Sequence, residues 1–230
     1  MSKFNDKEID KALDSIDKIN PFATYLEDST LSRVGGWIDT GSYVLNAIVS
    51  GSIHGGIPKG RVTMMGGESM TGKTLFVLKI LANAQKEGLI PVIFDTENAV
   101  DPEGAERIGL DISKVKYVPC VTIEQTRNAL FKFLTAVKEK GLEGKFIIAI
   151  DSLGNLQSEL EHSRMGKDST SSDMGTKARA MKSLMQTCTN LGATTQTTIL
   201  CTNHVYDDPS AMCPSIEKNM PGGKSIVYLP

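Results

Sequence analysis

Gly67–Thr74 reads Gly-Glu-Ser-Met-Thr-Gly-Lys-Thr, the G-x-x-x-x-G-K-T spacing of a phosphate-binding loop. Each residue type has a role in that chemistry. Glycines let the backbone curl until successive N–H groups point inward at phosphate oxygens. A helix opening at Lys73 adds its positive N-terminal end to the same anion. Lys73 is then placed for the β- and γ-phosphates, and Thr74 offers its hydroxyl to Mg²⁺. The expected nucleotide-binding set is Gly66, Gly67, Glu68, Ser69, Met70, Thr71, Gly72, Lys73 and Thr74.

Three further polar groups end apolar runs, and in an open parallel sheet ligands sit at the carboxyl ends of the strands. Asp95 and Glu97 close the run that begins at Ile90. Glu97 has the chemistry to orient and deprotonate a water, although a solvated loop acid or a helix cap reads the same way. Asp151 closes Phe146–Ile150, and an acid there suits Mg²⁺, directly or through water. Thr202, Asn203 and His204 follow Thr198–Cys201 and could read the γ-phosphate. A lone histidine is more often structural, so that role rests on its position.

The elements that must hold these groups alternate. Val62–Met65 is a short apolar run before the loop, and Leu75, Phe76, Leu78, Ile80, Leu81 and Ala84 continue it as a helix that Gly88 ends. Ser42–Val49 reads as a short helix, and Asp101-Pro102 as the cap of another that ends near Gly109. Val115–Val118 is β-like. Thr122-x-x-Gln125 is a capping-box pattern that starts a helix through Lys140, with Ile123, Leu130, Leu134 and Val137 on one face. Ala178, Met181, Leu184, Met185 and Cys188 mark a helix from Thr176, with Lys177, Arg179 and Lys182 on its solvated side. Gly154–Gly175 and Val205–Met220 read as irregular loops, and Ser225–Leu229 as the start of a strand. The order predicts an α/β fold, a mostly parallel sheet flanked by helices. Ahead of it, Glu8–Asn20 carries Ile9, Ala12, Leu13, Ile16 and Ile19 as a modest apolar stripe that ends at Pro21. That stripe either packs on its own domain or docks on a neighbouring subunit. Residues 1–34 are thus expected to be a helical or oligomerisation segment and 35–230 the core.

Composition sets bounds. With 40% apolar and 23% charged residues the chain is of ordinary globular type, and no apolar run approaches a membrane span. A net charge of −2 lends no whole-chain support to nucleic-acid binding, so any such role must be local. Cys120, Cys188, Cys201 and Cys213 form no C-x-x-C pair, which favours reduced thiols in a cytoplasmic protein.

Taken together, G-G-E-S-M-T-G-K-T, F-D-T-E-N-A-V-D-P, I-I-A-I-D-S-L-G-N-L, C-T-N-H and the late G-G resemble the RecA-type recombinases. D-S-L-G-N-L, the R-A-M-K-S-L helix at Arg179–Leu184 and N-H after the fifth strand look most like the phage UvsX-like branch. The resemblance runs from about Gly35 to Val227. It implies a RecA-like P-loop NTPase core and a DNA-dependent ATPase that forms filaments on single-stranded DNA for strand exchange in recombination and repair. ATP and Mg²⁺ would sit between subunits, with Lys73 and Glu97 catalytic, Thr74 and Asp151 on the metal, and Asn203 and His204 sensing the γ-phosphate, His204 standing where Gln is common.

The same resemblance makes two loops DNA-binding, with Arg164 and Lys167 in the first and Tyr206, Met212 and Lys218 in the second. Lys224 would reach the ATP of an adjacent subunit. The partners implied are single-stranded DNA, further copies in a helical homo-oligomer, and recombination mediator and single-strand-binding proteins, in a bacterial or phage-infected cell and without a membrane. Gly104 stands where an aromatic commonly stacks on adenine, and the family's C-terminal part is expected to be cut short at Pro230. Two other readings share the core. One is a replicative helicase or RadA/KaiC-like ATPase, weakened because no arginine follows Arg179 to serve as a finger. The other is a truncated accessory paralogue that binds nucleotide and a recombinase without turnover.

Overall fold

Ile9, Leu13 and Ile16 line one side of the first helix, α1 (Asp6–Asp17), and remain exposed. The computed structural model describes residues 6–20, 22–29, 31, 33–164, 174–207, 218–222 and 226. Met1–Arg33 is one compact unit and Val34–Pro230 another. Among the described residues no helix is long and apolar enough to cross a membrane.

The second unit begins with a small antiparallel pair, β1 (Trp37–Ile38) and β2 (Ile57–Pro58), that encloses helix α2 (Tyr43–Ser50). Ser42 caps α2 by accepting from the Leu45 N–H, and Gly51 ends it in the left-handed region that a side chain disfavours. Buried Asn46 ties the stretch together. Its Oδ1 accepts from the Thr40 N–H at 3.0 Å and the Thr40 hydroxyl at 2.7 Å. Its Nδ2 donates to Asp39 Oδ1 at 2.8 Å and Ile53 O at 3.0 Å.

The core elements then follow: β3 (Val62–Gly67), α3 (Lys73–Lys86), β4 (Ile90–Asp95), α4 (Pro102–Ile108), β5 (Lys116–Pro119), α5 (Ile123–Glu139), β6 (Phe146–Asp151), α6 (Glu159–Arg164), α7 (Met174–Thr194) and β7 (Thr198–His204). Five strands form one parallel sheet in the order β3-β7-β6-β4-β5. Successive strand residues point to opposite faces. Ile93, Ile147, Ala149 and Leu200 therefore pack with Val77, Ile80 and Leu81 of α3 and Ala105 of α4. Val92, Phe94, Ile148, Ile150, Ile199 and Cys201 pack with α5 and α7 on the other side. Helices on both faces explain why the strands read as unbroken apolar runs. Cys120, Cys188 and Cys201 are free and buried, and burial pushes the Cys188 thiol up to about 12.

Several expectations change. Gly154–Gly175 is not wholly irregular, because α6 lies within it and α7 already begins at Met174. Ser-Glu-Leu-Glu at 158–161 is a capping box: the Ser158 N–H donates to Glu161 Oε2 at 2.9 Å, and the Glu161 N–H donates to Ser158 Oγ at 3.2 Å. Lys177 is not simply on a solvated face, since its Nζ lies 3.9 Å from Glu161 of α6. Asn203 and His204 belong to β7 rather than following it, because they continue the ladder opposite Gly66 and Gly67. The second loop begins and returns as a short antiparallel pair, β8 (Tyr206–Asp207) with β9 (Lys218–Asn219). In the stretch read as a strand from Ser225, the described residue Ile226 is helical and buried, close to Gly222 and Met181.

Asn46→Ala leaves the buried Thr40 N–H without its acceptor. Each such orphaned group costs about 1–3 kcal/mol. The variant is expected to unfold at lower urea than the wild type by that order, and an unchanged midpoint would contradict the network's role.

Candidate active site

Strand register assembles the site. Gly67 pairs with His204, and Asp95 with Asp151. Ile150 pairs with Cys201, so Asp151 falls level with Thr202. Four strands thus end together, and each delivers polar groups at its carboxyl end.

The loop leaves β3 and runs into α3, as the glycine spacing requires. Gly72 takes a left-handed φ of 86° just before α3 opens at Lys73. A Cβ on Gly67 would lie 2.8 Å from Thr71 Oγ1, so a side chain there would have to displace Thr71. Met70 also has positive φ and is fully exposed on the loop's outer side. Lys73 Nζ folds over the loop and donates to Gly67 O at 2.9 Å and Glu68 O at 2.7 Å. It lies 3.5 Å from His204 Nδ1.

Thr74 Oγ1 donates to Asp151 Oδ2 at 2.7 Å, and the Thr202 hydroxyl donates to Asp151 Oδ1. A hydroxyl and a carboxylate side by side are hard oxygen ligands. Mg²⁺ takes such a pair when phosphate oxygens and water complete its shell. The curled loop, the helix N-terminus and this pair together fit a Mg²⁺-bound triphosphate.

Glu97 stands on the turn after β4. Its Oε1 accepts from Ser152 Oγ at 2.6 Å and lies 2.9 Å from His204 Nε2. Burial alone would raise its carboxyl. The Ser152 and His204 hydrogen bonds, with the charges of His204 and Lys73, outweigh that and hold it below the ordinary value. The turn itself hangs on buried Asp95, which accepts from the Glu97 N–H at 2.9 Å, the Val100 N–H at 3.2 Å and the Tyr117 hydroxyl at 3.1 Å. Burial, and then the contact with Asp95, pushes the Tyr117 hydroxyl up. The Thr96 hydroxyl donates to Ser152 O at 2.9 Å, and the Ser152 N–H donates to Thr96 Oγ1 at 2.9 Å. The Asp151–Ser152 peptide bond is cis.

Asn203 connects the site to the chain's two long loops. It is buried, and its Nδ2 donates to Pro221 O at 3.1 Å, where the second loop returns. A Cβ on Gly154, where the first loop leaves, would lie 2.8 Å from Asn203 Oδ1.

The loop residues, Glu97, Asp151, Asn203 and His204 therefore converge. Arg164 ends α6 and is half-buried, Tyr206 is exposed in β8, and Lys218 stands opposite Asp207 in β9. Lys167, Met212 and Lys224 lie outside the described residues. Sequence reasoning placed Thr202 at the site without its partner Asp151, and missed Ser152, Thr96 and Tyr117 as members. The available signal was position, since Ser152 and Thr96 each stand just past the carboxyl end of a core strand.

A parallel sheet with this loop and this hydroxyl–carboxylate pair at its carboxyl edge is a P-loop NTPase core. The comparisons narrow the class. The RecA N-terminal domain family matches residues 7–229. Protein RecA of Chlorobium chlorochromatii is 31% identical over 226 residues, covering 96% of this chain and 60% of its own. Protein RecA of Frankia alni is 34% identical over 227 residues, covering 97% and 61%. The recombination and repair protein of Enterobacteria phage T4 is 29% identical over 187 residues, covering 80% and 46%. The chain belongs to the RecA family. It spans less than two thirds of the length of these relatives.

The lowered carboxyl of Glu97 makes the stability its contacts contribute depend on pH. The stability from its contacts is fully present above the ordinary value of 4.5 and is lost as pH falls through the lowered native value. The urea-midpoint difference between wild type and Glu97→Gln is therefore expected to shrink on acidification below that range. A difference independent of pH would contradict the assignment.

Proposed function

We propose that this chain is the ATPase core of a RecA-type recombinase, which binds single-stranded DNA as a helical filament and hydrolyses ATP for strand exchange in recombination and repair. The observation that carries the reading is the convergence, at one sheet edge, of Lys73, the Thr74–Asp151 pair and Glu97 beside His204. Family membership and the name of the phage relative, a recombination and repair protein, support the biological role.

In this mechanism the loop amides of 66–74 and Lys73 hold the β- and γ-phosphates. Thr74 and Asp151 hold Mg²⁺, which when bound neutralises phosphate charge. Glu97 takes the proton of the attacking water. His204 lies between Lys73 and Glu97, so a change at the γ-phosphate reaches the base. Asn203, the preceding residue in β7, carries that change to the roots of both loops. Those loops hold the proposed DNA contacts, Arg164, Lys167, Tyr206, Met212 and Lys218, which meet the strand mainly through backbone charge and wedged side chains. Lys224 is the proposed contact to the ATP of the next subunit, and residues 1–34 the oligomerisation segment. Mediator and single-strand-binding proteins are the further partners, in a cytoplasmic setting.

The test is ATP hydrolysis with and without single-stranded DNA. DNA is expected to stimulate turnover, and no stimulation would remove the recombinase reading in favour of an accessory nucleotide binder. Lys73→Ala is expected to abolish hydrolysis. Glu97→Gln should keep ATP bound yet lose roughly a hundred- to ten-thousandfold in rate, the scale of general base catalysis. A wild-type rate in that variant would refute the base assignment.

A further inference from the structure

Ser152 follows the metal-side acid and is fully buried, yet its hydroxyl is directed neither at Asp151 nor at the phosphate loop. It donates to Glu97 Oε1 at 2.6 Å. A buried hydroxyl must find an acceptor, and a backbone carbonyl would serve. This one is given to a carboxylate, the stronger charge-assisted kind of bond. We infer that Ser152 is the positioning residue of the Glu97 carboxylate, fixing which of its two oxygens acts on water. The inference rests on Glu97 being the base.

Two observations support it. First, both contacts to the carboxylate fall on one oxygen: Oε1 takes the Ser152 hydroxyl and lies 2.9 Å from His204 Nε2, while among the described residues no donor reaches Oε2. Oε1 is thereby the anchor and Oε2 the oxygen free to accept a proton. Secondly, the anchor is itself held. Beyond the Asp95–Asp151 register pair, the Thr96 N–H donates to Asp151 O at 2.9 Å, and Thr96 Oγ1 engages both the N–H and the carbonyl of Ser152 at 2.9 Å. The strand ends of β4 and β6 stay joined one residue past the sheet, which sets Ser152 opposite Glu97.

In the step served, the water oxygen bonds to the γ-phosphorus as the bond from that phosphorus to the bridging oxygen breaks. The electron pair leaves with the diphosphate, and the water's proton goes to Glu97 Oε2. A carboxylate turned away from that geometry loses rate without losing nucleotide affinity. The titratable and charged groups facing Glu97 are His204 of β7 and Lys73 of α3, with Asp95 ending its own strand and Asp151 the neighbouring one.

The test uses the full chain and two substitutions. Ser152→Ala removes the donor. Ser152→Cys keeps a side chain of similar shape with a weak donor, and the urea midpoint of each variant reports its folding. ATP turnover with single-stranded DNA, binding of a fluorescent ATP analogue and a ¹³C titration of the Glu97 carboxyl in nucleotide-free protein are read for each. Ser152→Ala is expected to lower kcat roughly ten- to a hundredfold, the worth of one hydrogen bond to a charged group, with nucleotide affinity unchanged. The Glu97 titration and the acid limb of kcat should both move to higher pH. Ser152→Cys should move each readout the same way by less.

Wild-type kcat and titration in both variants would overturn the inference, as would kcat and affinity falling together. Glu97→Gln measured alongside separates the failures. If it turns over ATP like the wild type, the base assignment falls. If it is inactive while both Ser152 variants are normal, the positioning role alone falls.

Discussion

The parallel register of β3, β7, β6 and β4 underlies every other feature of the site. Gly67 opposite His204 and Asp95 opposite Asp151 bring four strand ends level. Asp151 illustrates the consequence. Its two oxygens accept from Thr74, on the helix after β3, and from Thr202, on β7. Three segments distant in sequence meet on one carboxylate. A slip of one residue in β6 would turn that carboxylate to the opposite face of the sheet. The register is in turn held by the two apolar layers, because Ile147 and Ala149 pack on one face and Ile148 and Ile150 on the other.

The polar side chains of the site form a chain. Lys73, His204, Glu97 and Ser152 follow one another through contacts of 3.5, 2.9 and 2.6 Å. Lys73 meanwhile lies against the carbonyls of its own loop, where the proposed phosphate would compete for it. A lysine drawn toward phosphate changes what His204 faces, and His204 shares an oxygen of Glu97 with Ser152. The proposed phosphate contact and the proposed base thereby belong to one connected group of side chains.

Asn203 gives that group an outlet. It is the neighbour of His204 in β7, it donates to Pro221 at the return of the second loop, and a Cβ on Gly154 at the root of the first would lie 2.8 Å from its Oδ1. The capping box at Ser158 and Glu161, with Glu161 near Lys177 and the Glu159 N–H on Glu124, ties the start of the first loop to α5 and α7. Packed side chains and hydrogen bonds of this kind are the contacts through which the proposed coupling between nucleotide and loops would run.

Much of this was legible in the residues. The phosphate loop, the β-α alternation, the burial of Ile123, Leu130, Leu134 and Val137 and the family all follow from local pattern, because apolar period and glycine spacing are local properties. The capping box at Ser158 was equally local and went unread within a polar stretch. The rest was not local. Strand order is absent from the sequence, so nothing there says that Asp151 meets Thr202 or that Tyr117 reaches Asp95 across a strand. Ser152 reads as an ordinary residue after an acid, and His204 as a lone histidine.

The sequence by itself determined which groups end the strands, because hydrophobic runs and their polar punctuation are written residue by residue. Only the tertiary structure decided which of those groups touch, because contact depends on the register between strands far apart in the chain. Through that register, Glu97 is held by Ser152 and His204 rather than left as a solvated loop acid.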